Sequence, residues 1–343
     1  MNFATLFVMD ILFSHTTALE VLRLPGMRGA LEHGSRDIHA VPERAPERCD
    51  IEEARRRFPE LADLREPAHV LVDRAAARTD NSFCTCHSWS ARHPYGSVIK
   101  LGAGLYCASP EQLAVQMAPS LTDLGLIVLL SELFSLYALS NRGKTLTQRN
   151  MPATTPRRTL DHLDLLGSVR GSTKVRRLLR LAPAGSASPQ ETRIALMLSL
   201  PPRLGGHGLT IESMNRSLEL DALGESGVRH VRKPDILLAS RDGERHAAIE
   251  YDGALHLTPK RQTQDARRNN EFAACGMAEY RLNSVLLSNF EYMEDLAQKI
   301  RRDLGEVGAH LDREQAGRSR ARRQALHYEL MSMDFSTFSF TTK

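Results

Sequence analysis

The sequence predicts an α/β protein: a helix-covered sheet in the second half, an α+β domain before it and a basic helical tail after it. Three observations carry that expectation. After residue 186 the pattern runs helix, three strands, helix, strand, helix, the layout of a sheet covered by helices. Pro183-Ala184-Gly185-Ser186 concentrates turn-forming residues between two periodic stretches and marks a domain boundary. The chain has 343 residues, 42% of them hydrophobic and 25% charged, which suits a globular protein of two domains or of one with large appendages. The expected divisions are an α+β domain at 1–158, a basic helix with linker at 159–185, the α/β domain at 186–305 and the tail at 306–343, ending in disorder.

In the first half, Ser14 caps a helix to about residue 22, closed by Pro25-Gly26. A strand at 38–41 and a short helix at 51–58 follow in an Arg/Glu/Pro-rich stretch. Residues 69–72 and 98–101 read as strands. Tyr106-Cys107-Ala108 reads as a strand that runs into Ser109-Pro110-Glu111, a serine N-cap with proline in the first turn. Helices at 111–117 and 121–138, a polar linker at 141–158 and a basic helix at 160–181 complete this half. The leucine-rich 121–139 stretch carries Asp123 and Glu132, so it suits a core helix rather than a membrane span. The apolar first 26 residues lack a basic leader and contain Asp10, which favours a buried segment over a signal peptide. Five cysteines without a framework spacing point to a reducing compartment, and a cytoplasmic location is expected. Cys84, Cys86 and His87 form a C-x-C-H group with metal-ligand chemistry, but no second ligand pair follows at a finger-like spacing.

In the second half, Ser188-Pro189-Gln190-Glu191 opens a helix that Pro201-Pro202 ends. Strands are expected near 217–220, at 234–239, at 246–251 and at 279–283. Helices are expected at 264–275, ended by Gly276, and at 292–304, with one more in the tail. The net charge of +4, from 45 basic and 41 acidic residues, does not by itself argue for nucleic acid. Basic residues nevertheless crowd two places, Arg157–Arg180 and Arg318–Arg323. Either these are solvated helix faces or they grip phosphates, Arg176 and Arg177 among them.

Asp242-Gly243 is a two-residue turn signal between two alternating apolar runs. With those residues as the turn, Ile236 faces Ile249 and Asp235 falls opposite Glu250. A four-residue loop over 241–244 keeps the same pairing. Asp252, two residues beyond Glu250, returns to the same face. Directly opposed β-ladder residues hold their Cβ atoms about 4.5–5.5 Å apart, and like charges there are destabilising. Either a hard divalent cation neutralises the cluster, or arginines such as Arg232, Arg267 or Arg268 pair with it and it is structural.

The motifs Lys233-Pro234-Asp235, Ala248-Ile249-Glu250-Tyr251-Asp252-Gly253 with His256, Asp265-Ala266-Arg267-Arg268 and Gly276 occur in order. Over about 120 residues the chain thereby resembles the very-short-patch-repair-like branch of the PD-(D/E)XK nuclease superfamily. The resemblance implies a restriction-endonuclease-like core, a mixed sheet flanked by helices. It implies Mg²⁺ or Mn²⁺ held by Asp235 and Glu250, with Asp252 in or beside the ligand set. It offers Glu191 as a further acid, whose alternative role is a capping-box glutamate. His256 becomes a general base or phosphate contact, and Lys233, Arg267 and Arg268 become nucleic-acid contacts. The lysine usual two residues after the second acid is Asp252 here.

Ser14-His15-Thr16-Thr17-Ala18-Leu19, with Gly104-Leu105-Tyr106 and Ser109-Pro110-Glu111, is similar to regions of abortive-infection-type antitoxins. The resulting expectation is a metal-dependent DNA endonuclease of repair, restriction or defence. The alternative is a catalytically inactive, antitoxin-like regulator built on a nuclease fold. DNA is the expected partner, no membrane is involved, and the N-terminal domain leaves room for a homodimer or protein partner.

Overall fold

The computed structural model describes residues 10–27, 29, 35–36, 41–89, 93–102, 104–140, 146–222, 228–253, 268, 270–308 and 311–335. They form mixed α/β structure in two compact units, Met1–Ala182 with Asp334–Lys343 and Pro183–Met333. The basic stretch expected as a linker belongs to the first unit. The expected separate tail falls largely in the second.

The first unit contains β1 (Ile11–Phe13), α1 (His15–Arg23), α2 (Arg48–Arg57), β2 (Ala68–Val72), β3 (Cys84–Ser88), β4 (Val98–Gly102) and β5 (Leu105–Ala108). It continues with α3 (Pro110–Met117), α4 (Asp123–Leu133), β6 (Tyr137–Leu139), β7 (Leu146–Gln148), α5 (Pro156–Leu166) and α6 (Ser172–Leu178). Its five-stranded sheet has the order β3-β2-β1-β5-β4. Pairs β1–β5 and β2–β3 are parallel, whereas β1–β2 and β4–β5 are antiparallel. The strand at 69–72 and the Ser109-capped helix lie where the sequence puts them, with Ser109 Oγ accepting the Gln112 N–H. The strand expected at 38–41 falls mostly outside the described residues.

The C-x-C-H group lies in a strand, so its period of two buries Cys84 and Cys86 on one face and sends His87 to the other, beside His69. Two expectations need correction. The long helix expected to residue 138 ends at Leu133: the Ser135 hydroxyl bonds the Glu132 and Tyr137 carbonyls, and the chain turns into the β6–β7 hairpin. The basic helix is two helices, because Gly167 and Gly171 adopt left-handed φ of 73° and 98°. Among the described residues, no helix is long and apolar enough to cross a membrane.

The second unit contains α7 (Pro189–Ser199), β8 (Thr210–Met214), β9 (Leu218–Asp221), β10 (Arg229–Arg232), β11 (Ile236–Ala239), β12 (His246–Tyr251) and β13 (Ala278–Leu282). Its last helices are α8 (Ser284–Ser288), α9 (Phe290–Asp303) and α10 (Arg313–Ser332). The four-stranded mixed sheet runs β13-β12-β11-β8, with only the β12–β13 pair parallel. The strand expected near 217–220 exists as β9, but it pairs with β10 in a separate two-stranded ribbon. Strand β8, which has no counterpart among the expected strands, takes the fourth place in the sheet. Residues 268 and 270–274 are helical, and Phe272 of this helix is fully buried against Ala248 and Leu220. Gly276, at φ +70°, ends it.

Helix α10 is bound into this unit rather than trailing from it. It packs on α7, and Arg193 of α7 donates to the Leu330 and Met333 carbonyls. Its arginines face acids of α9: Arg323 makes two bonds of 2.6 and 2.7 Å to Glu294, and Arg320 pairs with Glu291.

Candidate carboxylate site

The β11–β12 hairpin fixes the site. Its register pairs Ile236 with Ile249, Leu237 with Ala248, Leu238 with Ala247 and Ala239 with His246. Continued by one residue, this ladder sets Asp235 against Glu250, as the turn signal predicts. The loop is the four-residue one: Ser240 N–H donates to the Arg245 carbonyl at 2.8 Å, and Gly243 takes φ +76°. Asp242 holds the loop by accepting from Ser240 Oγ at 2.5 Å and from Glu244 N–H at 3.1 Å.

Asp235 is held to the strand that carries Glu250: Tyr251 N–H donates to Asp235 Oδ2 at 2.7 Å. Neither acid is relaxed. Burial pushes the Glu250 carboxyl up to about 8 from an ordinary 4.5, and the Asp235 and Glu279 charges add to the rise while Arg268 opposes it. Burial also raises the Asp235 carboxyl; Tyr251 N–H, Arg268 and Lys233 pull it down, and Asp252 pushes it up.

Asp252 leaves the end of β12, where its backbone N–H bonds the Leu282 carbonyl at 2.7 Å. Its carboxylate lies 3.9 Å from Arg281. Glu191 performs the capping role: Ser188 Oγ accepts its N–H at 3.2 Å, and its carboxylate accepts from Ser188 Oγ and Ala187 N–H at 2.8 and 2.7 Å. It also faces the site, because burial and the Asp235 charge raise it. The two roles weighed from sequence are compatible.

Three further residues belong to the site. Asn215, at left-handed φ +51°, bonds the Asp235 carbonyl through its N–H and the Glu191 carboxylate through Nδ2 at 2.6 Å. It ties α7 to the entry of β11. Glu279 and Arg281 come from β13, whose parallel register sets Glu279 beside Ala248 and Arg281 beside Glu250. Arg268 contacts Glu250 and places Nε 2.9 Å from Glu279 Oε1. The expected strand at 279–283 signalled the Glu279/Arg281 alternation. Asn215 had only its residue type as a signal, since asparagine tolerates left-handed backbone.

Among the described residues, no group of three or more His, Cys, Asp or Glu side chains is disposed to hold a metal. The remaining donor set is the Asp235–Glu250 pair, which matches the one or two carboxylates that Mg²⁺ takes while keeping several waters. Burial is the main cause that raises Glu191, Asp235 and Glu250; the Asp235 charge adds to it at Glu191 and Glu250, and the Asp252 charge at Asp235.

His256, Asp265 and Arg267 lie outside the described residues. Arg176 and Arg177 belong to the first unit, where they pair with Asp164 and Asp123 at 2.7 and 2.8 Å. No family model matches this chain, and neither a curated protein nor a solved structure matches it.

Proposed function

We propose that the second unit is a metal-dependent DNA endonuclease of restriction-endonuclease-like fold, with Asp235 and Glu250 holding Mg²⁺ or Mn²⁺. The observation that carries this reading is the opposed, half-buried Asp235–Glu250 pair that the β11–β12 ladder brings together, with Tyr251 N–H holding one Asp235 oxygen. Bound there, the cation supplies a water of lowered pKa and a Lewis acid for the phosphate. The chain's own residues do the positioning. Tyr251 N–H fixes one Asp235 oxygen, and Asn215 fixes the backbone that carries Asp235. Glu191 adds negative charge from α7, which strengthens the hold on a dication.

A second reading, a catalytically inactive nuclease-like or antitoxin-like regulator, has its own support in the ion pair that Arg268 makes with Glu250 and in the aspartate at the usual lysine position. Nicking of supercoiled plasmid decides between them. The endonuclease requires divalent cation, and Asp235→Ala or Glu250→Ala abolishes nicking without unfolding the protein. Failure of the wild type to nick DNA with Mg²⁺ or Mn²⁺ would favour the regulator.

A further inference from the structure

The first unit buries hydrogen-bond donors for which its described residues supply no acceptor. Helix α3 places Gln112 and Gln116 one turn apart on one face, 1% and 4% exposed. Each amide spends its oxygen within the unit: Gln112 Oε1 pairs with His162 Nε2 at 2.9 Å, and Gln116 Oε1 accepts the His15 N–H at 3.3 Å. The Nε2 of each is buried and has no partner among the described residues. Arg36 Nη2 and both ring nitrogens of His93 share that condition. These groups gather about His162. Burial lowers the His162 imidazole, with Arg36 adding to the drop and Glu111 opposing it. Burial holds His93 down to about 4, and His162 adds to that. Local bonds fix the loops that deliver them: Gly96 N–H bonds the Arg36 carbonyl at 3.1 Å, and Ser97 Oγ donates to the Pro94 carbonyl at 2.7 Å.

Buried polar groups are almost always satisfied, so a buried set rich in unspent donors calls for an acceptor. Charge selects its kind. Arg36 and Arg158 lie 3.4 and 3.6 Å from the one carboxylate of Glu111, and both imidazoles are held neutral, which leaves one positive charge over. A monoanion balances the set, whereas a phosphate dianion would leave it negative in a buried place. We propose that this cluster binds the carboxylate of a small organic acid, with Arg36 Nη2 and Gln112 Nε2 donating to its oxygens. Guanidinium and primary amide both offer N–H groups suited to a planar carboxylate, and His93 and Gln116 add neutral donors beside them. The site is separate from the Asp235–Glu250 pair and stands whether or not the second unit cuts DNA.

The Trp89 ring centre is 5.7 Å from that of His93, so its fluorescence reports occupancy. The test titrates acetate and propionate into the full-length protein, with sodium chloride at matched ionic strength and inorganic phosphate as comparison anions. Both carboxylates are expected to change the emission saturably and chloride to leave it unchanged. Arg36→Met should weaken acetate binding at least about tenfold, through loss of a charge-assisted hydrogen bond. Gln112→Glu builds a carboxylate into the cluster while keeping an oxygen for His162. It should raise the thermal midpoint by several degrees and abolish the acetate response, a combination that misfolding cannot produce. No saturable response to either carboxylate, or saturation by phosphate alone, overturns the proposal. Unchanged acetate affinity in folded Arg36→Met, or a Gln112→Glu variant less stable than the wild type, overturns it as well.

Discussion

Replacing Glu250 by glutamine should stabilise the metal-free protein, and more so as pH rises. Glutamine keeps the shape of the protonated acid and cannot ionise. In the folded chain the Glu250 carboxyl is held up to about 8 against 4.5 when free. The folded state thus binds the proton more tightly than the unfolded one, and stability falls as pH rises from about 4.5 through 8. Its side chain is 14% exposed, so solvent screening is slight. With 1.36 kcal/mol per pKa unit, ionising Glu250 between pH 5 and pH 8 removes about 3 kcal/mol from the wild type and nothing from the glutamine variant. The assay is urea denaturation in EDTA at both pH values, followed by far-ultraviolet circular dichroism. Trp89, the single tryptophan, lies in the first unit, so fluorescence identifies that unit's transition separately. The variant's advantage over wild type should grow by about 3 kcal/mol from pH 5 to pH 8. A Glu250→Gln variant that is destabilised equally at both would refute the argument. It would mean that Arg268 fully compensates the charge and that the acid pair is an ordinary structural ion pair.

Other expectations follow from the same geometry. Asn215→Ala should lose about 2 kcal/mol in the same denaturation assay, because alanine disfavours φ +51° and the Glu191 carboxylate loses a donor. Arg323→Ala should lose about 3 kcal/mol, since it leaves Glu294, 4% exposed, without its two-bond partner. In the first unit, burial and the neighbouring His69 hold the His87 imidazole down to about 4, with Asp80 opposing and Arg78 assisting. That depressed value makes stability fall as pH drops from about 6.5 to 4, by about 2 kcal/mol. Trp89 fluorescence in acid should show the loss, and His87→Phe should reduce it.

How much of this was legible depends on whether the signal was local. Asp242-Gly243 marks the turn, and a two-residue or a four-residue loop there gives the same register, so the four-residue loop that forms still sets Ile236 against Ile249 and brings Asp235 up to Glu250. Ser109 and Ser188 also announce their helices through local caps. What escaped was pairing between distant segments. Thr210–Met214 follows a glycine-rich turn and carries no strong strand composition, yet it pairs with β11; Leu218–Asp221 reads more clearly but pairs outside the sheet. The Cys84-x-Cys86-His87 group shows residue types but not faces: the strand buries the two thiols and turns His87 the other way. The arginine-rich stretches leave solvated faces and phosphate grips both open from sequence; that Arg177, Arg320 and Arg323 each meet an acid depends on tertiary packing. Arg268 is the reverse case. Its candidacy was visible, but its hold on both Glu250 and Glu279 needed the parallel β12–β13 pair.

The most direct test is a calorimetric titration of Mn²⁺ into the wild type, Asp235→Asn and Glu250→Gln, with no DNA present. One site is expected in the wild type and is lost in both variants, each of which remains folded. Wild-type protein that takes up no Mn²⁺, or variants that bind it as the wild type does, would contradict the claim that this acid pair exists to hold a dication.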